Sequence, residues 1–303
     1  MKVPCVRRDG LLVLDKPPGL SSTQALAQAR HRLRACKGGH TGTLDPLATG
    51  VLVLCFGEAT KAASFLVDSD KRYRVAITLG VSTTTYDREG EVVARRPVTV
   101  SDAALRAAVG RFIGRIDQTP PRFSAIKQDG RPFYERARRG DEARPASRSV
   151  VVTGIEIIDR EDMMLTLDVA CGKGFYVRSL AHDLGEALGC GGHVAELRRL
   201  AVGRFTLDQA VALTDVGPDT ALLESDAALT GLPSVVLPGF LARAVMRGQG
   251  VHIGGREQEG WVRLYDDSGV FLGVGWSAAA GEIRPKRLWI GAPGHVEPMG
   301  ARG

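Results

Sequence analysis

The chain has 303 residues, 44% of them apolar and 24% charged, with a formal net charge of +6. This is the balance of a globular protein, and the length suits one large domain or a large domain with a small one. There is no run of about 18 apolar residues for a membrane span, and "MKVPCVRRDGLLVLDKPPG" lacks the apolar core of a secretory signal, so no membrane and a cytoplasmic location are expected.

In chain order, "LLVLDK" is predicted as a short buried strand that stops at the "PPGLSS" turn. Ser21 with Gln24 three residues on forms a capping box for a helix carrying Leu26, Ala29 and Leu33 on one face. The glycine-rich "GHTGTLDPLATG" follows, then the apolar run "VLVLCF", expected as a buried strand, and the short helix "EATKAASFLV". "KRYRVAITLG" alternates Tyr73, Val75, Ile77 and Leu79 with mostly polar neighbours, the pattern of a half-buried strand. "STTTYDREGEVV" reads as a loop into another strand, and a helix capped by Ser101 runs to Phe112. "SVVVTGIEII" and "MMLTLDVAC" are predicted strands joined at "DRED". A helix starting at Phe175 places Val177, Leu180, Ala181, Leu184 and Leu188 on one face and ends at Gly189. Composition changes between Pro218 and Pro233. A short helix over 238–247 and several short strands follow, with a hairpin signal at "DDSG". The fold class is therefore α+β: a domain over 1–230 and a small β-barrel domain over 231–303, with a flexible tail "APGHVEPMGARG".

The five cysteines are odd in number, widely spaced and without a C-x-x-C pair, which argues against a disulfide framework and against zinc. The six histidines show no metal-binding spacing, so no metal site is expected. Basic charge is concentrated in two places. "QARHRLRACKGGH" holds Arg30, Arg32, Arg34 and Lys37 with no acid, and 122–148 holds eight basic and four acidic residues. Clustered basic charge is the footprint of a polyanion, commonly nucleic acid; a solvated helix face gives the same pattern.

Asp45 is the single carboxylate of "GHTGTLDPLATG". Asp before Pro commonly caps a helix, but here the chain breaks at Gly50 into an apolar run. The alternative is a ligand site: glycines admit close approach, and one carboxylate is offered as nucleophile or base. Glycoside cleavage commonly uses a second acid, for which Glu58 and Asp70 are the nearby candidates.

"LDKPPGLSS", "GHTGTLDPLATGVL", "SDKRYR", "CGKGFYVRSLAHDLGEALG" and "GGHVAELRRLAVGRF", in this order from Leu14 to Phe205, resemble the motifs of the TruB family of bacterial tRNA pseudouridine synthases. The resemblance implies the pseudouridine synthase fold, with a mixed, mainly antiparallel central sheet. It implies a C-terminal PUA-like RNA-binding domain in the segment already read as a β-barrel. It also implies a reaction: isomerisation of uridine-55 in the T loop of tRNA, without a cofactor. No interface stripe stands out in the sequence, so a monomer without a protein partner is expected. Asp45 matches the catalytic aspartate. Attack on ribose C1′, attack on the base, and removal of a ribose proton all require that carboxylate ionised and aimed. Arg178 matches its arginine partner, and Tyr73 the tyrosine that packs on the target base and assists proton removal at C5. His40 matches the histidine that occupies the stack when a base is flipped out. Tyr176 and Leu197 match further pocket positions. Lys16, Lys127 and the arginines of 131–148 are candidates for phosphate contact, and "GRPFYERARRG" matches an RNA-gripping segment. Phe123 and Phe175 depart from the Tyr and Thr common in the family; neither alters Asp45, Arg178 or Tyr73.

Overall fold

The computed structural model describes residues 5–123, 127–128, 131–132, 145–254 and 258–289. The tail "APGHVEPMGARG" lies outside them, as does "GRPFYERARRG" apart from 131–132.

The main body is built on β1 (Gly10–Lys16), α1 (Ser22–Arg32), β2 (Gly38–His40), β3 (Thr49–Phe56), α2 (Ala63–Val67) and β4 (Lys71–Leu79). The hairpin β5 (Val81–Thr83) and β6 (Val92–Arg95), α3 (Asp102–Gly110) and β7 (Gly114–Gln118) follow. After the two-residue strands β8 (Lys127–Gln128) and β9 (Arg131–Pro132) come β10 (Arg148–Glu161), β11 (Met164–Cys171), α4 (Val177–Ala187), β12 (Gly192–Val202), β13 (Phe205–Thr206) and β14 (Val211–Ala212). One sheet runs β14-β1-β3-β12-β4-β11-β10-β7, with β2 and β13 attached to β3 and β12. The pairs β14–β1 and β3–β12 are parallel and the other neighbours on that path antiparallel. The expected mixed, mainly antiparallel sheet is the one formed.

The apolar pattern explains which strands are central. In β3, Leu52, Leu54 and Phe56 enter the main core, while Val51, Val53 and Cys55 enter a second cluster on the other face with Leu11, Val13 and Phe205. Burial on both faces requires an uninterrupted apolar run. In β4 the alternation expected from sequence holds. Tyr73, Val75, Ile77 and Leu79 are buried, and Arg72 and Arg74 on the other face pair with Asp168 of β11. Side-chain hydrogen bonds from Arg74, ahead of those from Arg72, hold the Asp168 carboxyl below the usual range.

Helix ends follow their cap residues. Ser21 makes the expected capping box with Gln24, and Ser101 accepts from the Ala104 amide. Helix α4 ends at Ala187 with Leu188 as its C-cap, before Gly189 at φ +77°. Strand β10 continues through "DRE" to Glu161, so the turn to β11 is tighter than the sequence suggested.

The C-terminal unit is a five-stranded half-barrel sheet, β15 (Ser234–Leu237), β16 (Val251–His252), β17 (Gly260–Asp266), β18 (Phe271–Ser277) and β19 (Glu282–Leu288), in the order β15-β17-β18-β19-β16. Helix α5 (Gly239–Met246) covers its core through Ala242, Val245 and Met246. At the "DDSG" hairpin, Asp266 accepts from the Ser268 and Val270 amides. The unit meets the main body through Ala62, Leu229, Val274 and Trp289.

One expectation is overturned. Cys5 and Cys36 form a disulfide, with Cα atoms 5.0 Å apart. Val6 bridges Ala35, and its amide donates to the Arg34 carbonyl, so the fold places two cysteines together that lie 31 residues apart in sequence. Cys55, Cys171 and Cys190 are buried and free.

The parallel contact of β3 with β12 depends on Gly50. Its φ is +100°, and a Cβ there would lie 2.2 Å from the Arg199 carbonyl oxygen. Gly50→Ala should destabilise by about 3 kcal/mol or more, from overpacking and backbone strain together. The thermal midpoint should then drop by about 6 °C or more. Gly110→Ala, with open space and no positive φ, should leave the midpoint unchanged or raise it.

Candidate active site

The "GHTGTLDPLATG" loop is pinned from below. The Ser22 hydroxyl, at the start of α1, accepts from the Leu44 amide at 2.7 Å and donates to the Leu44 carbonyl at 3.1 Å. Lys16, at the end of β1, is fully buried. Its ammonium donates to the carbonyls of Leu20 (2.7 Å), Pro17 (2.8 Å) and Pro46 (3.4 Å), and burial pushes its pKa down to about 8. The Gly19 amide also donates to the Pro46 carbonyl. Lys16 is therefore a buttress under the residue after Asp45, and the idea that it contacts phosphate is set aside. A buried lysine without acceptors would be costly; three carbonyls are what permits it.

Asp45 does not cap a helix. Its carboxylate faces Arg178 on the first turn of α4, with Nε 2.8 Å from Oδ2 and Nη2 donating to Oδ1 at 3.1 Å. The arginine side chain is 5% exposed and the aspartate 33%. Arg178 also donates to the carbonyls of Phe123 (3.0 Å) and Thr85 (3.3 Å), and lies 3.6 Å from the buried carboxylate of Asp87. A cation at a helix N-terminus opposes the macrodipole by about 0.3–1 kcal/mol; two carboxylates and two carbonyls offset that. Burial raises the Asp45 pKa above the usual carboxylate range, Arg178 pulls it back, and Asp87 raises it again.

The segment before α4 is clipped in the same manner as Leu44. The Tyr176 amide donates to Gln118 Oε1 at 2.7 Å, and Gln118 Nε2 donates to the Tyr176 carbonyl at 3.0 Å. The Ser179 hydroxyl donates to the Thr119 carbonyl at 2.7 Å. Tyr73 on β4 stands opposite Arg199 on β12. Burial raises the pKa of its hydroxyl, and Arg199 acts against that rise. Arg199 is itself buried, its guanidinium donating to the carbonyls of Val51, Gly42 and Thr43.

Several of these groups line one cleft of about 360 Å³, within the range of small-ligand sites. Asp45, Tyr73, Tyr176, Arg178 and Leu197 all reach it. His40 does not line it. It ends β2, paired with Leu54 on β3, and its Nδ1 is enclosed without a hydrogen-bond partner. Burial, and then Arg199, lower its pKa, which favours the neutral ring. Glu58 and Asp70 do not line the cleft either; Glu58 pairs with Lys61. The second acid beside Arg178 is Asp87, which sequence reading placed in an undistinguished polar loop. Gln118 and Arg199 were missed too, because nothing local marks a residue whose partners are backbone atoms of distant segments.

The TruB family pseudouridylate synthase N-terminal domain matches residues 30–177. The tRNA pseudouridylate synthase B C-terminal domain matches 178–239, and the pseudouridine synthase II TruB C-terminal domain matches 233–289. The chain belongs to the TruB family. A tRNA pseudouridine synthase B of Pseudomonas aeruginosa is 46% identical over 289 residues, covering 92% of this chain and 95% of the relative. One of Cupriavidus metallidurans is 48% identical over 301 residues, covering 93% and 95%. Among solved structures, an H/ACA RNP bound to a substrate RNA containing 2′-deoxyuridine holds a chain of similar fold. Its TM-score is 0.73 at 22% identity, over 95% of this chain and 87% of that one. Membership makes this TruB chain an isomerase, and the cleft is where its family motifs converge.

Arg178→Lys keeps the charge, but one ammonium cannot replace a fork that reaches Asp45, Asp87 and two carbonyls together. Single-turnover isomerisation should slow by about 100-fold or more, measured at saturating RNA with the variant's melting curve as control.

Proposed function

We propose that this enzyme isomerises uridine-55 in the T loop of tRNA to pseudouridine, as a cytoplasmic monomer, with Asp45 as its catalytic carboxylate. The observation that carries the reading is the pairing of Asp45 with a buried arginine at the floor of a cleft whose walls are Tyr73, Tyr176 and Leu197. The arginine fixes the carboxylate in direction and favours its ionised form against the burial that raises its pKa. The names of the relatives, tRNA pseudouridine synthase B, support tRNA as the RNA.

The chemistry balances without an outside group. The N1–C1′ bond breaks, the base turns, C5 bonds to C1′, the C5 proton leaves to water, and N1 takes up a proton in its place. The target must leave its stack to reach a floor of this kind. Stacking on Tyr73 contributes about 1–3 kcal/mol toward holding it, and Leu197 gives it an apolar wall. His40, at the edge of the loop, fills or stacks on the vacated position. The C-terminal unit, taken as 231–303, adds RNA contact, and the main body, 1–230, carries the reaction. No described helix is long and apolar enough to cross a membrane.

The test uses an unmodified tRNA transcript with tritium at uridine C5. Tritium release with pseudouridine mapped to the T loop is expected. Binding without release would mean an RNA-binding protein without this activity, and free uracil would mean a hydrolase. Asp45→Asn should abolish release and keep tRNA affinity within about tenfold, since phosphate and stacking contacts set affinity. Near-normal release by that variant would refute the role of Asp45.

A further inference from the structure

Among the described residues, four cations line the cleft, Lys71, Arg148, Arg178 and Arg199, against one carboxylate, Asp45. Three of the four are committed to the protein. Arg178 is held by Asp45 and Asp87. Arg199 donates to the carbonyls of Val51, Gly42 and Thr43. Lys71 donates to the Val67 carbonyl at 2.6 Å.

Arg148 differs. Its guanidinium carbon lies 4.9 Å from the centroid of the Tyr176 ring, and among the described residues no carboxylate pairs with it. Its Nε is enclosed without a hydrogen-bond partner. The backbone beneath is held by pairing: Arg148 opens β10 directly opposite Gln118 of β7, and Gln118 bonds both the amide and the carbonyl of Tyr176. Beside it, Gly172 and Gly174 line the cleft without side chains, and Gly174 approaches the guanidinium with φ +81°. A planar cation stacked on an aromatic, lacking an acceptor and flanked by bare backbone, is suited to a phosphate.

We propose that Arg148 binds a backbone phosphate next to the target uridine, so that Tyr176 and Arg148 together clamp the extruded nucleotide at the mouth of the cleft. This rests on the reading of the cleft as a uridine site. A phosphate there would accept from the guanidinium and hold the nucleotide in the cleft that Asp45 and Tyr73 also line.

The test reads affinity for a T-arm stem-loop RNA, so its outcome stands whether or not the wild type releases tritium from the same RNA; that release separately tests the uridine site. Two further RNAs carry a neutral methylphosphonate in place of the phosphate on the 5′ or the 3′ side of the target uridine. One of the two replacements should weaken wild-type binding about tenfold. Arg148→Gln should weaken binding of the unmodified RNA by a similar factor and lower the log–log salt slope by about 0.7, the value for one single-stranded phosphate. With Arg148→Gln, the sensitive replacement should cost less than twofold more. Arg148→Lys should keep the salt slope, which separates lost charge from a disturbed fold. The proposal is overturned if Arg148→Gln leaves the slope unchanged, or if its loss multiplies in full with both replacements.

Discussion

Everything in the cleft depends on Arg178 being buried with its charge. Taking a guanidinium out of water costs several kcal/mol unless its donors are met. Here the charge is faced by acceptors from segments far apart in sequence: Asp45 in the loop after β2, Thr85 and Asp87 in the β5–β6 hairpin, and Phe123 beyond β7. The cation thus fixes the positions of three loops at once. In return, the loops hold one carboxylate, Asp45, partly open to the cleft, while Asp87 stays buried 3.6 Å from the same guanidinium. Breaking either side leaves an unpaired buried ion, which is why the arrangement is all-or-none and not gradually tunable.

Around this pair, the protein repeats one device. A polar side chain on a regular element grips both polar atoms of a single residue in an irregular segment: Ser22 grips Leu44, and Gln118 grips Tyr176. Lys16 does the same work by gathering three carbonyls. A glycine-rich loop would otherwise sample many conformations, and a carboxylate on such a loop would be poorly aimed. The contacts of Ser22 and Lys16 tie the loop to α1 and β1, which is the preorganisation an electrostatic site needs.

Much of the sheet was legible because hydrophobic periodicity is a local signal. The two-faced burial of β3 follows from its unbroken apolar run, and the wet face of β4 from its alternation. The helix starts at Ser21 and Ser101 were readable from their cap chemistry. The motifs brought Asp45, Tyr73, Tyr176, Arg178 and Leu197 to attention, and they do meet in one cleft; His40 stands outside its lining. Illegible were the features made by distance: the Cys5–Cys36 disulfide, Asp87 as the second acid, Gln118 and Arg199. Each acts on groups that only the fold brings near, and side chains that serve backbone atoms leave no pattern in spacing. Lys16 shows the same limit from the other side: its sequence suggested a phosphate ligand, and its burial makes it a buttress.

The central claim is that opposed neighbours set the ionisation of Asp45: burial and Asp87 raise its pKa, and Arg178 lowers it. The direct test is a carbon-13 titration of the Asp45 carboxyl, assigned through Asp45→Asn, in the wild type and two variants. The wild-type midpoint should lie above that of an ordinary aspartate. Arg178→Gln removes a neighbouring cation and should move it higher, so that the ionised form is lost at a higher pH as pH falls. Asp87→Asn removes a like charge and should move it lower. Shifts of the same sign in both variants, or no shift in Arg178→Gln, would contradict the account.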